Sequence, residues 1–401
     1  MKAILTRLLF VFLQFPLFFL FGVNLGQAQV ISVEELIESV SLSKSVEKAF
    51  SYQFENEVAG YLPGEKYFAA RTADDLNIFD AKGRVQNLAN SESAFIIRRF
   101  LDNRDLFFAD MQKPDGRYEC GLFHLDGTPA IILPFFIYNV SPGGRFFYHE
   151  CTGDGSAGEI PIYDENGDRS FGVPNGLECQ VTAPSDSQLI VFQHETLSLW
   201  DVKAKQTIWV SDIPGGDCQA SSMFKITYSV DGNIIVVRDQ NSWHCFDFQG
   251  NFLWAHRPDG GKRRGLINMV GVCREDGRIV VTVNEGNSIE ATIFSRRGDL
   301  LDKPRIELGP NCHFSANVSP LTADFSGDFV LLPFQATHGD IRMRVTGILY
   351  YDGSKWTSAA IEGAWYVLNY AKSEYTLIGF SEIAATEIKA FTMKQRGLRN
   401  E

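Results

Sequence analysis

The chain has 401 residues, of which 45% are hydrophobic and 13% aromatic, so it can bury a sizeable core. Its formal net charge is -12, and such a surface repels phosphate backbones and anionic membranes, which argues against nucleic acid as a partner. A chain of this length ordinarily forms two or three domains unless it is built from repeats.

The N-terminus has the three regions of a secretory signal peptide. Lys2 and Arg7 precede an apolar run from Leu8 to Phe21, and Gly26-Gln27-Ala28 places small residues where a signal peptidase requires them. We expect residues 1–28 to be removed, and the mature chain, starting at Gln29, to be secreted or periplasmic with no membrane span. The alternative is an uncleaved anchor, because the apolar run approaches the length of a marginal membrane span.

Residues 29–53 are predicted to hold a short helix followed by a lead-in or closing segment. Ser32-Val-Glu-Glu35 fits a capping box, and apolar residues recur with a helical period up to about Ser41. The helix is expected to lie against the outside or one end of the domain that follows.

From Phe54 onward the chain repeats. The landmark of each unit is an aromatic residue or Leu followed by Asp, with a turn glycine nearby, and two of the units carry degenerate forms. The second residues of the eight pairs are Asp80, Asp126, Asp164, Asp201, Asp247, Ser295, Asp352 and Thr392. Intervals of 37 to 57 residues are typical of four-stranded propeller blades. The sequence therefore predicts an all-β fold, a single β-propeller over residues 54–401 with eight blades, or seven as the alternative.

The last unit, from Trp365 to Phe391, has only three predicted strands. A ring left open there would expose a sheet edge, so we expect Ser45 to Gln53 to pair with the last blade and close the ring. The long interval between Ser295 and Asp352 keeps the seven-blade alternative open, with one unit absorbed as a loop.

Two units, Leu197–Trp209 and Trp243–Trp254, carry a fuller pattern in which a Trp follows the aromatic-Asp pair. They resemble the repeats of the quinoprotein (PQQ-like) and WD40/YVTN-like propellers, and the resemblance implies a relationship in fold at superfamily level. The chain lacks the adjacent cysteines of quinoprotein dehydrogenases, is much shorter than those enzymes, and lacks the Gly-His of WD40 blades. The resemblance is therefore not extended to the quinone cofactor of those enzymes, and no cofactor is expected.

The seven cysteines are a sparse and odd set for an exported protein. Cys245 and Cys273 fall in apolar strands, where free cysteine is usually a small core residue. Cys179 and Cys218 precede inner strands of neighbouring units and form the candidate disulfide. No C-x2-C or H-x3-H pair suits zinc, and Asp164–Asp168, which spaces oxygen atoms as in a calcium loop, coincides with the blade turn, so no metal site is predicted.

The sequence contains no G-x-S-x-G, H-E-x-x-H or P-loop motif. This favours an exported, non-catalytic propeller that serves as a binding or scaffold module. The alternatives are a hydrolase or lyase acting on a sugar or lactone through residues that converge at a channel mouth, and a redox enzyme with a bound quinone. The first residues of the inner strands discriminate between these classes. Carboxylates and histidines there favour an enzyme, whereas small and apolar residues favour a scaffold.

The predicted binding surface lies on the connections from the outer strand of one blade to the inner strand of the next, which gather around one mouth of the channel. Two of them, Ser211–Ala220 and Arg257–Gly265, are long and Gly-rich, and the second concentrates positive charge on an acidic protein. Because guanidinium groups bind carboxylate and phosphate, the predicted partner is another protein or an acidic small ligand. The candidate residues are Asp217, Arg263, Arg264, His313 and Trp365.

Overall fold

The computed structural model describes residues 30–31, 35, 44–88, 94–101, 104–134, 137, 139–149, 158–174, 179–193, 195–214, 225–238, 242–257, 270–284, 287–308, 312–314, 323–338, 341–351, 353–371, 374–380 and 386–395. These residues form eight antiparallel sheets, each with at least four strands, which are the blades of a β-propeller. The all-β prediction and the count of eight blades are confirmed, and the seven-blade alternative is wrong. Of the predicted N-terminal helix only Glu35 is described, in helical conformation.

Two strands precede the first blade, β1 (Val30–Ile31) and β2 (Lys44–Gln53). The strands of blades 1 to 4 are Gly60–Pro63, Phe68–Arg71, Leu76–Asp80 and Gly83–Asn87 (β3–β6); Ala94–Leu101, Leu106–Gln112, Tyr118–His124 and Pro129–Leu133 (β7–β10); Asn139–Val140, Phe146–Tyr148, Glu159–Asp164 and Arg169–Pro174 (β11–β14); and Gln180–Ser185, Gln188–Gln193, Thr196–Asp201 and Gln206–Asp212 (β15–β18).

The strands of blades 5 and 6 are Lys225–Ser229, Ile234–Arg238, Trp243–Asp247 and Phe252–His256 (β19–β22), and Val270–Val272, Ile279–Asn284, Ser288–Phe294, Leu300–Asp302 and Arg305–Glu307 (β23–β27). Those of blades 7 and 8 are Cys312–Phe314, Asp324–Ser326, Phe329–His338, Ile341–Tyr351 and Trp356–Glu362 (β28–β32), and Ala364–Ala371, Glu374–Phe380 and Glu387–Gln395 (β33–β35). In blade 7, β28 and β29 both pair with β30, and β1 adds in parallel to β32. The long strands β30 and β31 account for the long interval between Ser295 and Asp352, which had left the seven-blade alternative open.

Within a blade, a strand near the channel is more buried than the outermost strand. All five residues of β20, the second strand of blade 5, are buried, whereas the fourth strand of blade 4, β18, alternates between exposed and partly buried positions. This is the arrangement expected when twisted sheets stack face to face around an axis, because the second strand is covered on both faces.

The hydrophobic core of the described residues is divided into layers between neighbouring blades. Each of eight clusters combines residues of two consecutive blades. The layer that joins the last blade to the first brings together Phe68 and Phe79 of blade 1 with Leu368 and Ile378 of blade 8. The ring is therefore closed by packing as well as by strand pairing.

Strand β2 supplies the fourth strand of blade 8, as the sequence predicted. It pairs antiparallel with β35 from Lys44 opposite Gln395 to Gln53 opposite Glu387. Phe50 stacks on Phe79 of blade 1, with ring centroids 6.0 Å apart and planes 7° from parallel. A segment from the start of the chain thus covers the edge that would otherwise be exposed at its end.

The aromatic-Asp landmark caps the turn between the third and fourth strands. In blade 5 the Asp247 Oδ1 accepts hydrogen bonds from the backbone N–H groups of Gln249 and Asn251, both at 2.9 Å. Gly250 has a φ of 83°, which a residue with a Cβ adopts only at a cost. The repeat is therefore a turn signal with a direct physical cause.

The tryptophans of the fuller repeat pack on the turn of the following blade. Trp209 Nε1 donates to the carbonyl of Phe248 at 2.9 Å, and its ring lies so close to Gly250 that an added Cβ would come within 2.6 Å of Cδ2. Trp254 covers Gly298 in the same way, with a Cβ-to-Cγ distance of 2.7 Å. The spacing of aromatic, Asp, Gly and Trp thus encodes a contact between blades.

Candidate functional site

The channel has two mouths. The loop mouth is the end where the inner strands begin, and the hairpin mouth is the end where the inner strand turns into the second strand. Asp217, Arg263 and Arg264, predicted at the loop mouth, lie outside the described residues, so their roles stay predictions. His313 lies on β28 of blade 7, opposite Thr337 on β30, and therefore belongs to the start of an inner strand.

Trp365 does not contribute a side chain to a surface. It is 0% exposed, its Nε1 donates to the carbonyl of Glu362 at 2.8 Å, and its ring lies 6.1 Å from that of Phe391. The indole belongs to the core layer between blades 7 and 8. Its predicted part in a binding surface is corrected to a packing role, because its position on β33 points it between the blades.

The inner strands begin with small or uncharged residues almost throughout. Their first residues are Gly60, Ala94, Asn139, Gln180, Lys225, Val270, Cys312 and Ala364. Neither a carboxylate nor a histidine occurs among these eight described positions. The eight positions therefore lack the carboxylates and histidines expected of an enzyme, but Asn139, Gln180 and Lys225 depart from the small and apolar lining expected of a scaffold.

Four cysteines have described side chains, and all four are buried. Cys245 and Cys273 are both 0% exposed, which confirms their core role, and burial raises the pKa of each thiol to about 12. Burial raises the pKa of Cys120 to about 12 as well. Cys179 is also buried, with its Sγ 4.0 Å from the carbonyl oxygen of Pro174, but Cys218 lies outside the described residues, so the disulfide stays a prediction.

The calcium-like stretch forms the ordinary blade turn. Asp164 Oδ1 accepts hydrogen bonds from the N–H groups of Asn166 at 2.9 Å and Asp168 at 3.0 Å, and Gly167 has a φ of 85°. These contacts are the same as those at Asp247, so the spacing of oxygen atoms is explained by the turn itself.

A cavity of about 390 Å³ extends into the channel from the hairpin mouth. Inner strands of blades 1, 2 and 8, strand β30 of blade 7 and the turns of blades 3 and 6 line it. The described lining residues are Leu62, Pro63, Gly64, Glu65, Arg98, Arg99, Phe100, Pro142, Arg274, Ala323, Leu331, Pro333, Tyr366 and Val367. The sequence analysis did not single out this site.

Two adjacent arginines, Arg98 and Arg99, line this cavity from an irregular part of their strand. The pairing of β7 with β8 shifts register between Ile97 and Arg99, which is a β-bulge. Such a bulge re-aims a side chain and is a common device next to binding sites.

The three arginines of the cavity are held differently. Nε and Nη2 of Arg98 both donate to Oδ2 of the buried Asp110, with Nε at 2.9 Å. Arg274 Nη1 lies 3.1 Å from Glu65 Oε1 in an ion pair whose two side chains are 41% and 71% exposed. Arg99 Nη1 donates to the carbonyl of Val140 at 3.1 Å and has no carboxylate partner among the described residues.

Hydrogen bonds between blades fix the rim of the hairpin mouth. Asp186 of blade 4 accepts from the Ser141 hydroxyl and the Gly143 N–H of blade 3, both at 2.7 Å. The Ser229 hydroxyl of blade 5 donates to the carbonyl of Arg274 in blade 6 at 2.8 Å. The backbone beneath the cavity is thus tied from blade to blade, so the arginines are presented on a rigid rim.

Comparison with known proteins identifies the fold and no family. No family model matches the chain, and no curated protein matches it in sequence. Hsv2 of Kluyveromyces lactis with loop 6CD replaced by a Gly-Ser linker is similar, with a TM-score of 0.52 at 10% identity, over 76% of this chain and 97% of that one. Hsv2 of Kluyveromyces marxianus is also similar, with a TM-score of 0.50 at 10% identity, over 76% of this chain and 98% of that one.

The β-propeller domain of Cps50 (Swd1) from Myceliophteria thermophila is more distant, with a TM-score of 0.46 at 12% identity over 86% of this chain and 99% of that one. The fold is a WD40-like β-propeller. At these identities the similarity concerns architecture alone, so a function has to be argued from the residues of this chain. In the described part of the chain, no helix has the length and apolar character of a membrane span.

Proposed function

We propose that the chain is an exported, non-catalytic β-propeller that binds another protein through its loop mouth. The observation that carries the proposal is the composition of the inner-strand starts, which lack carboxylate and histidine at all eight described positions. A propeller whose inner strands begin without carboxylate or histidine still offers a rigid, closed frame. Loops on such a frame are the usual place for recognition of a partner.

The partner should carry an acidic surface. The connection Arg257–Gly265 follows the last strand of blade 5 in the sequence and contains Lys262, Arg263 and Arg264, on a chain whose formal net charge is -12. A local cluster of guanidinium groups on a protein of opposite overall sign attracts a complementary patch while the remaining surface repels it. This combination favours one docking orientation.

Export is supported by the position of the first strands. β1 begins at Val30, two residues after the predicted cleavage point at Ala28, and adds to blade 7. Cleavage there leaves β1 and β2 in the mature chain, so the closed ring is compatible with removal of residues 1–28. We propose a secreted or periplasmic location on this basis.

The hydrolase or lyase alternative receives less support. It requires acid and base groups that converge at a mouth, whereas Glu65 is the one carboxylate among the described lining residues of the cavity. Glu65 pairs with Arg274, and Asp110 pairs with the lining residue Arg98. Both carboxylates are thus engaged by arginines of the cavity.

The test uses mature protein, residues 29–401, recovered from the exported fraction after its N-terminus has been read. The immobilised protein is exposed to an envelope extract, and the retained proteins are identified. We expect one acidic protein to be retained, and the double substitution Arg263→Ala, Arg264→Ala to reduce its recovery at least tenfold.

The matched control is Arg296→Ala, Arg297→Ala, which removes an adjacent pair of arginines from the turn between β25 and β26, at the outside of blade 6. Both double variants should melt within about 2 °C of the parent, since surface changes usually cost less than about 0.5 kcal/mol. Equal recovery by the two variants would exclude the loop mouth, and an N-terminus at Met1 would exclude cleavage.

A further inference from the structure

We propose that the cavity at the hairpin mouth is a binding site for a small organic anion, with a carboxylate-type head and an apolar body. This site is separate from the protein-binding surface proposed above, because the two lie at opposite ends of the channel. Its evidence is the cavity itself, the three guanidinium groups that reach it and the apolar walls between them.

The head of the ligand is specified by Arg99 and Arg274. Four charged residues line the described cavity, and three of them are arginines, although the whole chain carries an excess of acidic residues. Arg99 is held by a neutral carbonyl, so its positive charge is not compensated by a carboxylate within the described residues. A guanidinium group presents several N–H donors in one plane and can bind a carboxylate with two of them.

Arg274 can exchange its present partner for a ligand. Its ion pair with Glu65 joins two side chains that are 41% and 71% exposed, and exposed pairs of this kind add little to stability. An incoming carboxylate that contacts Arg99 as well would replace Glu65 at little cost. Arg98 adds positive potential but keeps its own carboxylate, because Asp110 is 5% exposed and would be left buried without its partner.

The body of the ligand is specified by the remaining lining. Leu62, Pro63 and Pro142 present apolar surface to the cavity. They are backed by lining residues whose side chains are buried, namely Phe100, Leu331, Pro333 and Val367. Inorganic phosphate would satisfy the arginines and leave this surface in contact with water, whereas an apolar group would cover it. A volume of about 390 Å³ is within the range of small-molecule sites, which are mostly apolar with a few placed polar groups.

Tyr366 offers a further polar contact in the wall. Its burial raises the pKa of the phenol and a side-chain hydrogen bond with Tyr61 raises it further, so the hydroxyl stays protonated and already has a partner. A neutral phenol beside two cations is compatible with an anionic head. A second anionic group would be repelled by the Glu65 carboxylate, so the site favours a ligand with a single negative charge.

The experiment measures the binding of 2-naphthoate to the mature protein by isothermal titration calorimetry. Its neutral analogue, 2-naphthamide, has the same apolar body without the charge. We expect one equivalent of naphthoate to bind at least tenfold more tightly than the amide, with an affinity that falls as the salt concentration rises.

Three variants assign the binding to the cavity. Arg99→Gln combined with Arg274→Gln should weaken naphthoate at least tenfold. Glu65→Gln should strengthen it by about two- to fivefold, because it removes the carboxylate that competes for Arg274. Arg296→Gln combined with Arg297→Gln changes the net charge equally but lies in an exposed turn, and should leave the affinity unchanged.

The proposal is overturned if the parent protein binds naphthoate no better than the amide, or if the cavity variant and the turn variant bind it equally. Inorganic phosphate that displaces naphthoate at equal concentration would also overturn it, since the apolar walls would then contribute nothing. The partner capture described above is read independently, so a failed titration leaves that proposal standing.

Discussion

Ring closure by β2 can be tested at a single side chain. Phe50 is half-buried between blade 8 and blade 1, where it stacks on Phe79, and belongs to the core layer that joins the two ends of the ring. Truncation of a fully buried Phe to Ala costs about 3–5 kcal/mol. Scaled for partial burial, Phe50→Ala should lower the free energy of unfolding by about 2 kcal/mol.

The assay is urea denaturation followed by tryptophan fluorescence. The matched control is Val85→Ala on β6 of blade 1, where the side chain is 40% exposed and the cost should stay below about 0.5 kcal/mol. A chain that lacks residues 29–53 should in addition aggregate, because nine paired positions of β35 lose their partner strand. If Phe50→Ala costs no more than Val85→Ala, β2 does not hold the ring together.

Two further predictions concern the turns and the thiols. Gly250→Ala should lower the free energy of unfolding in urea by about 2–3 kcal/mol, because alanine would adopt a left-handed φ and its Cβ would clash with Trp209. The control is Gly60→Ala, where nothing lies within 4 Å of an added Cβ and the loss should stay under about 1 kcal/mol. Cys120, Cys245 and Cys273 should not react with a disulfide reagent at pH 8 until the protein unfolds. Burial raises the pKa of each thiol to about 12, so as the pH rises the thiols ionise in the unfolded chain before they ionise in the folded one. The free energy of unfolding should therefore fall from about pH 9 towards pH 12.

The blades could be predicted because their signal is local. Asp247 and Gly250 lie in one turn and specify its conformation by themselves, so the repeat could be followed along the chain without any knowledge of packing. The closing strand was also predictable, since a missing fourth strand in the last unit left one edge to be covered. The function of the Trp209 position became clear only from its contact with the next blade.

The site could not be predicted because it depends on which way side chains face. Trp365 was expected at a surface, and it packs between blades, while its neighbour Tyr366 lines the cavity. Both faces of a blade are covered by neighbouring blades, so alternation along a strand does not tell which residues line the channel. Arg98 and Arg99 were missed for the same reason, and the register shift beside them depends on the pairing with β8.

Hydrogen bonds between blades hold the backbone at the hairpin mouth, and this favours a small ligand there. At the hairpin mouth, Asp186 and Ser229 bond to neighbouring blades within the short connections, so the arginines keep a fixed geometry. Binding there loses little conformational entropy, which suits a small ligand with few contacts. The proposed protein-binding surface rests on the connections Ser211–Ala220 and Arg257–Gly265, whose length in the sequence offers many side chains for a larger contact area. The proposed anion site and the proposed protein-binding surface are therefore separate uses of one closed ring.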